Sequence, residues 1–331
     1  MDGRCDCSYF QGVEILPSLT VLSLFDGISC GQIALERAGI TVKQYFASEI
    51  DKHTIKVTQS RYPDTVQLGD IIDLDPSELP EIDLLIGGSP CQSFSVAGDG
   101  SGFDGKSKLF WEFVRILKAV KPRYFLLENV KMRASWRDII TETLGVEPIE
   151  INSALVSGQY RRRYYWTNIP VARQPDDAGI SLSDVLEVVA ENEDKQYGDR
   201  LASNGKTIRI EGEGFPYTFY ESRTEEGKAE RRRLRKLLGR DTTPRGAKYK
   251  IYLPHRSGKS NCIVATPSQL DWVVDSQGRY RKLTLTELER LQTLPVGYTE
   301  GISSAQRRKA IGNGWTVDVI KHIFSFIPRG D

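Results

Sequence analysis

The chain has 331 residues, of which 27% are charged and 39% hydrophobic, with a formal net charge of +1. That length suits one large domain with a smaller second lobe, and the apolar fraction is enough to build a sizeable core. No apolar run approaches the ~20 residues that span a bilayer, and the opening MDGRCDCSYFQG lacks the basic and apolar regions of a signal peptide, so a membrane protein is argued against and a cytoplasmic one is expected.

Five cysteines (Cys5, Cys7, Cys30, Cys91, Cys262) are an odd number and widely scattered, which points to reduced thiols rather than a disulfide framework. Cys5 and Cys7 have no second Cys or His pair near them to complete a zinc site, and with only three histidines no metal centre is expected.

In chain order, residues 1–19 read as a tail. From Thr20 to about Asn168, apolar runs of strand length (20–24, 44–50, 65–71, 82–88 and 124–130) alternate with helix-like stretches at 31–38, 51–60 and 107–120. This alternation predicts an α/β domain, a mostly parallel sheet with helices on both faces. After Pro170 the pattern dissolves. Asp176 to Asp199 holds eight acidic residues against one lysine, and Glu221 to Lys250 holds eleven Lys/Arg against five Glu/Asp. The basic run, with Arg231, Arg232 and Arg233 in EEGKAERRRLRKLLG, reads either as a polyanion-facing surface or as a solvated helix. Helical periodicity returns in KLTLTELERLQTL and SSAQRRKAIGNGWTVDVIKHIF, which should close back on the first domain. The resulting division is 20–169 with 281–331 as one lobe and 170–280 as an inserted second lobe.

In such sheets ligands sit outside the carboxyl ends of the strands, so the residues standing there carry the chemistry. The first strand runs into FDGISCG, a glycine turn opening a helix, where backbone N–H groups and the Asp26 carboxylate can meet a ligand. Glu49 ends the second strand, placed to accept hydrogen bonds from ribose hydroxyls, and Asp70 ends the third, within reach of an adenine amino group. Three acids at successive strand ends fit a nucleoside cofactor better than a phosphate-rich one. Cys91 ends the fourth, after Pro90, in GGSPCQSFSVAG, and Glu128-Asn129 ends the fifth. A thiol and a carboxyl group on one pocket suggest nucleophilic attack on a substrate whose charge the carboxyl manages by proton donation or hydrogen bonding.

The ordered series FDGISCG, GGSPCQSFS, LLENV, QYRRRYYW, LTLTELERLQTLP and AIGNGWTV resembles the motifs of DNA (cytosine-5) methyltransferases, over about Thr20–Thr167 and Arg281–Phe324. The resemblance implies a Rossmann-like S-adenosylmethionine-dependent methyltransferase fold, with 170–280 as a target-recognition domain. It implies that Cys91 adds to cytosine C6, that Glu128 contacts N3 with Asn129 in support, and that Arg161 and Arg163 of the Q-x-R-x-R pattern beginning at Gln159 serve the same pocket. Arg163 is the one expected to reach the base or Glu128. Phe25, Asp26, Gly27, Ile28, Glu49, Ile50, Asp70, Ile71, Pro90, Leu109, Asn313, Gly314 and Trp315 resemble the cofactor pocket. The loop from Gln92 to Lys108, including Ser93 and Ser95, resembles the one that closes over double-stranded DNA once the target base is flipped out.

The loop reads GFDGKSKLFW without the Arg-Gly often found there, and Trp315 is spelled as in the animal de novo branch and some phage enzymes. With no accessory chromatin-reading domain in the sequence, a stand-alone prokaryotic or phage enzyme is expected, with a cognate restriction endonuclease as a candidate partner. Two other readings stay open. One is a tRNA cytosine-5 methyltransferase on the same scaffold, although the Cys-Phe-Thr element of that branch is missing. The other is a catalytically silent DNA-binding homologue, against which stand both Cys91 and Glu128.

Overall fold

Successive side chains of a strand point to opposite faces, so runs such as LTVLSL and LLIGG, apolar at nearly every position, need cover on both sides. The computed structural model describes residues 18–90, 109–187, 216–238, 250–255, 258–265, 272–275 and 280–328, and it provides that cover. Seven strands, β1 (Leu19–Leu24), β2 (Val42–Ser48), β3 (Val66–Gln67), β4 (Leu84–Gly88), β5 (Tyr124–Val130), β6 (Ile149–Asn152) and β7 (Arg162–Thr167), form one sheet in the order β3-β2-β1-β4-β5-β7-β6. The first five are parallel and follow a doubly wound order; β7 runs antiparallel between β5 and β6.

Val21, Leu84, Ile86 and Leu126 face one core with helices α1 (Cys30–Arg37) and α2 (Lys52–Arg61). Leu22, Leu24, Leu85 and Leu127 face the other, under α3 (Leu109–Val120) and α4 (Ala134–Leu144). Three strands differ from their sequence expectations by two residues or more. The stretch 82–88 is a strand only from Leu84. The stretch 65–71 forms a strand only at Val66–Gln67, because Gly69 at φ +75° turns the chain out of the sheet. The stretch 44–50 gives up its last two residues, so Glu49 stands just past the strand end.

The second lobe is more regular than its sequence suggests. Strands β8 (Tyr217–Arg223), β9 (Lys250–His255), β10 (Trp272–Val274) and β11 (Tyr280–Lys282) make an antiparallel sheet in the order β11-β10-β8-β9, and helix α5 (Glu225–Leu238) follows β8. One segment of the expected recognition stretch docks on the first lobe. Ser260 exchanges backbone hydrogen bonds with Gly158 and Tyr160 at 2.6 and 2.8 Å, and the Lys259 ammonium donates to the carbonyls of Ala154, Ser157 and Ile180.

The C-terminal helices α6 (Leu285–Leu291), α7 (Ser304–Asn313) and α8 (Val317–Phe324) return to the first sheet. The capping boxes Thr284/Glu287 and Ser303/Gln306 start α6 and α7, and α8 buries Val319, Ile320, Ile323 and Phe324 in the same core as α1. No helix among the described residues is long and apolar enough to cross a membrane.

The two sheets are coupled by Arg281 on β11, which pairs with Glu287 of α6 at 2.7 Å and with Asp275 at 3.4 Å, all three side chains at most 5% exposed. Removing one partner of a buried pair leaves an uncompensated charge. Arg281→Met should therefore destabilise the protein by about 3–5 kcal/mol in urea denaturation followed by circular dichroism; a change within experimental error would mean that the pair contributes nothing net.

Candidate active site

Strand order reverses between β1 and β4, and connections leaving them in opposite directions open a crevice at their carboxyl ends. A cleft of about 360 Å³ lies there, within the span of small-ligand pockets. Phe25, Asp26, Gly27, Glu49, Ile50, Asp70, Ile71, Pro90, Leu109, Asn313, Gly314 and Trp315 line it, and so do Glu128, Arg161 and Arg163. Ile28 is not among the lining side chains: it is wholly buried in the core, and its carbonyl accepts from the Tyr298 hydroxyl at 2.7 Å. Cys91, Gln92, Ser93 and Ser95 lie outside the described residues.

The turn after β1 is held in an unusual conformation. Phe25, Gly27 and Ser29 all have left-handed backbones, at φ +58°, +61° and +55°, which costs the two non-glycine residues about 1–3 kcal/mol each. Hydrogen bonds support the turn. One Asp26 oxygen accepts from the Tyr45 hydroxyl at 2.8 Å and the other from the Ser29 hydroxyl, so this carboxylate is engaged within the turn. Burial pushes its pKa above the usual carboxylate range, outweighing those hydroxyls, which pull it down. Glu49 receives the backbone N–H of Gly27 at 2.8 Å on one oxygen and those of Ile50 and Asp51 at 2.7 and 2.8 Å on the other. Asp70 accepts the N–H of Ile72 at 3.0 Å.

The far end of the cleft is built on the antiparallel junction of β5 and β7, where Glu128 pairs with Tyr165 and Val130 with Arg163. The Glu128 carboxylate meets Arg163 Nε at 3.0 Å on one oxygen and the Trp315 indole N–H at 3.2 Å on the other. Trp315, expected in the cofactor pocket, thus touches the Glu128 carboxylate. Gly88 permits this, because a Cβ there would come within 2.9 Å of the indole nitrogen and 3.1 Å of Glu128 Oε2. Asn129, 1% exposed, donates to the Ser89 hydroxyl at 3.0 Å and so ties the end of β5 to the residue before Pro90.

Arg161 is buried and supports the cleft from behind. It donates to the carbonyls of Gly314 at 2.8 Å and Ile263 at 2.9 Å. Gln159, wholly buried, donates to Gln292 Oε1 at 2.9 Å, and Gln292 in turn donates to the carbonyls of Ile311 and Gly314. Gly312 lets the second lobe approach this turn, since a Cβ there would sit 2.4 Å from the Val264 backbone. Arg231, Arg232 and Arg233 lie on α5, away from the cleft lining; Arg232 and Arg233 are exposed, and Arg233 pairs with Glu230 at 2.8 Å.

The lining residues that sequence reading missed include Ile72, Thr54, Ser48 and Val130. Ile50 and Ile72 are 72% and 57% exposed, an unusual position for isoleucine that matches the rim of an apolar slot. The signal available was an isoleucine directly following a strand-end acid (EI, and DII one residue on).

A family model described as C-5 cytosine-specific DNA methylase matches residues 19–141 and 159–329. The chain belongs to this family. It is 29% identical over 328 residues to the Type II methyltransferase M.NlaX of Neisseria lactamica, covering 92% of this chain and 94% of that one. It is 46% identical to the orphan methyltransferase M.Rho11sI of Bacillus phage rho11s over 119 residues, and that match spans only 24% of the phage protein's length. In fold it resembles the methyltransferase EhMeth of Entamoeba histolytica, with TM-score 0.63 at 16% identity over 94% of this chain and 98% of that one. A DNMT2 mutant of Spodoptera frugiperda superposes with TM-score 0.60 at 19% identity, over 93% and 99%. The mostly parallel seven-stranded sheet with helices on both faces is a Rossmann-like fold of the S-adenosylmethionine-dependent methyltransferase type.

The half-buried Asp26 gives this family member a testable pH dependence. Because its folded pKa lies above the ordinary value, the ionised form is disfavoured by folding, and stability is lost as pH rises from about 4 through the folded pKa. Asp26→Asn should flatten that segment of the stability-pH curve in thermal melts. Identical curves for the two proteins would show that this carboxylate is not perturbed.

Proposed function

We propose that the protein is a DNA cytosine-5 methyltransferase that flips a cytosine out of duplex DNA and converts it to 5-methylcytosine, releasing S-adenosylhomocysteine. The observation that carries this reading is the pairing of Glu128 with Arg163 and Trp315 in the cleft that also contains the glycine turn and the strand-end acids, in a chain of the cytosine-5 methylase family. Flipping is required because C6 of a stacked, paired cytosine is closed to attack.

The cleft residues fit S-adenosylmethionine. An ionised carboxylate has about four acceptor positions; three backbone N–H groups occupy Glu49, leaving capacity for a ribose hydroxyl. The exposed Ile50 and Ile72 side chains suit an adenine face, with Asp70 beside them for its amino group. When bound, this cofactor supplies an electrophilic methyl group. Phe25, Gly27, Ile71, Pro90, Leu109 and the Asn313-Gly314-Trp315 turn complete its enclosure, with Ile28 supporting the turn from the core.

In the proposed chemistry the Cys91 thiolate forms a bond to cytosine C6. The electron pair of the C5–C6 double bond then makes C5 nucleophilic. The Glu128 carboxyl, held by Arg163 and Trp315, gives a proton to N3 that neutralises the charge on the ring, and takes it back when the ring is released. After C5 has gained the methyl group, it loses its proton to a base, the C6–S bond breaks, and the double bond re-forms. Asn129 keeps Ser89 in register with Glu128. Arg161 holds the cofactor turn.

Residues 20–169 and 281–331 form the catalytic domain in this reading and 170–280 the target-recognition domain. Gln92, Ser93 and Ser95 would close on the DNA, and Arg231, Arg232 and Arg233 face its phosphates. Action in the cytoplasm follows from a DNA substrate in a prokaryotic or phage-infected cell. The Type II name of the Neisseria relative motivates a cognate restriction endonuclease as partner; the orphan name of the phage relative motivates solitary action.

Duplex DNA carrying 5-fluorocytosine tests the covalent step, because fluorine at C5 cannot leave as the proton does. Wild-type protein with S-adenosylmethionine should give a denaturation-stable adduct and Cys91→Ser none, while cofactor binding by calorimetry stays within about twofold. An adduct with the Ser variant would rule out this thiol. Replacing Arg231, Arg232 and Arg233 together with Ala should weaken DNA binding and flatten its salt dependence by up to about three units of slope; unchanged affinity at several salt concentrations would return α5 to a solvated helix.

A further inference from the structure

Arg163 has three nitrogens with three different partners. Nε holds Glu128 at 3.0 Å, Nη1 donates to the Arg162 carbonyl at 2.9 Å, and Nη2 reaches the Cys262 sulfur at 3.6 Å. The same sulfur accepts from Arg161 Nη1 at 3.4 Å. Cys262 belongs to the segment of the second lobe that docks on the first. Its neighbour Ile263 is fixed twice, by Arg161 through its carbonyl and by Gln159 through its N–H, and the next residue packs its backbone over Gly312. The sulfur is therefore held at a fixed point between two guanidiniums, one supporting the cofactor turn and the other gripping the acid.

We propose that Cys262 is a positioning residue, whose sulfur bridges Arg161 and Arg163 and keeps Arg163 aimed at Glu128. This rests on the active-site reading above and adds a residue of the recognition stretch to that site. The charged and titratable groups facing this bridge are Arg161 from the residue before β7, Arg163 and Tyr165 from β7, and Glu128 from β5.

A neutral thiol is a weak acceptor, whereas a thiolate between two guanidiniums makes charge-assisted contacts. Burial raises the Cys262 pKa, but Arg161 and then Arg163 outweigh it and the net direction is down. Cys30 makes the contrast: buried beneath the cofactor turn, mainly by desolvation, its thiol is pushed up to about 12 and stays protonated. Cys262 is intermediate in exposure, whereas Cys30 is buried.

The test has two arms. Peptide-resolved alkylation of the folded full chain by iodoacetamide across pH should give Cys262 a midpoint below the ordinary ~8.5 of a free thiol; a midpoint at or above that value would overturn the proposal. This arm needs no methyl transfer, so it judges the bridge even if the assigned reaction is wrong. In the second arm, Cys262→Ala should lower kcat on duplex DNA by about tenfold, with KM for S-adenosylmethionine within about twofold and an unchanged Tm. Cys262→Ser should recover part of the rate, because a hydroxyl accepts from both guanidiniums without their charge pairing. An unchanged kcat, or losses of kcat, cofactor affinity and Tm together in both variants, would reduce Cys262 to packing. Wild-type protein inactive on DNA would instead overturn the assigned function.

Discussion

A carboxyl group and a guanidinium that are both nearly out of water are costly unless each is held on several sides, and the Glu128–Arg163 pair meets that requirement with contacts from four parts of the chain. Strand β5 supplies the acid and β7 the base; the turn before α8 supplies Trp315, and a segment of the second lobe supplies Cys262. The antiparallel pairing of β5 with β7 makes the first contact possible, since a parallel neighbour would have carried its strand end elsewhere. The position of the acid relative to the cofactor turn is thus fixed by the fold.

The elements around this pair are tied together by buried polar groups. Ser153 donates to Thr316 and Thr316 to Gln292, each at 2.8 Å, and Gln292 also meets Gln159. One network therefore connects the turn after β6, the segment before β7, the end of α6 and the turn carrying Trp315. In a low-dielectric interior each such bond is strong, and an unpaired member would be expensive. Satisfied networks of this kind rigidify a site, which suits chemistry that depends on holding a base at a set distance from a nucleophile and a methyl donor.

Much of this was legible in the sequence because it is local. Apolar runs bounded by acids and glycines marked the first five strands, and with them the positions of Asp26, Glu49, Asp70 and Glu128 in the lining of one cleft. What was not legible is what depends on contacts distant in sequence. The order of β6 and β7 follows from non-local pairing. Ile28 sits within the glycine turn, yet its side chain turns to the core, which motif spelling does not reveal. The contacts of Cys262 join residues 99 and 101 positions apart, with no periodicity to announce them. The four-stranded second sheet was hidden because three of its strands lie in loop-rich sequence and two are only three residues long.

The central claim is that this cleft methylates cytosine in DNA. The direct test is transfer of label from S-adenosylmethionine to unmethylated duplex DNA, with tRNA assayed in parallel and the product mapped at base resolution. The account predicts label in DNA, as 5-methylcytosine, at a recurrent short site. Label in tRNA alone, or cofactor binding with no transfer to either nucleic acid, would contradict it.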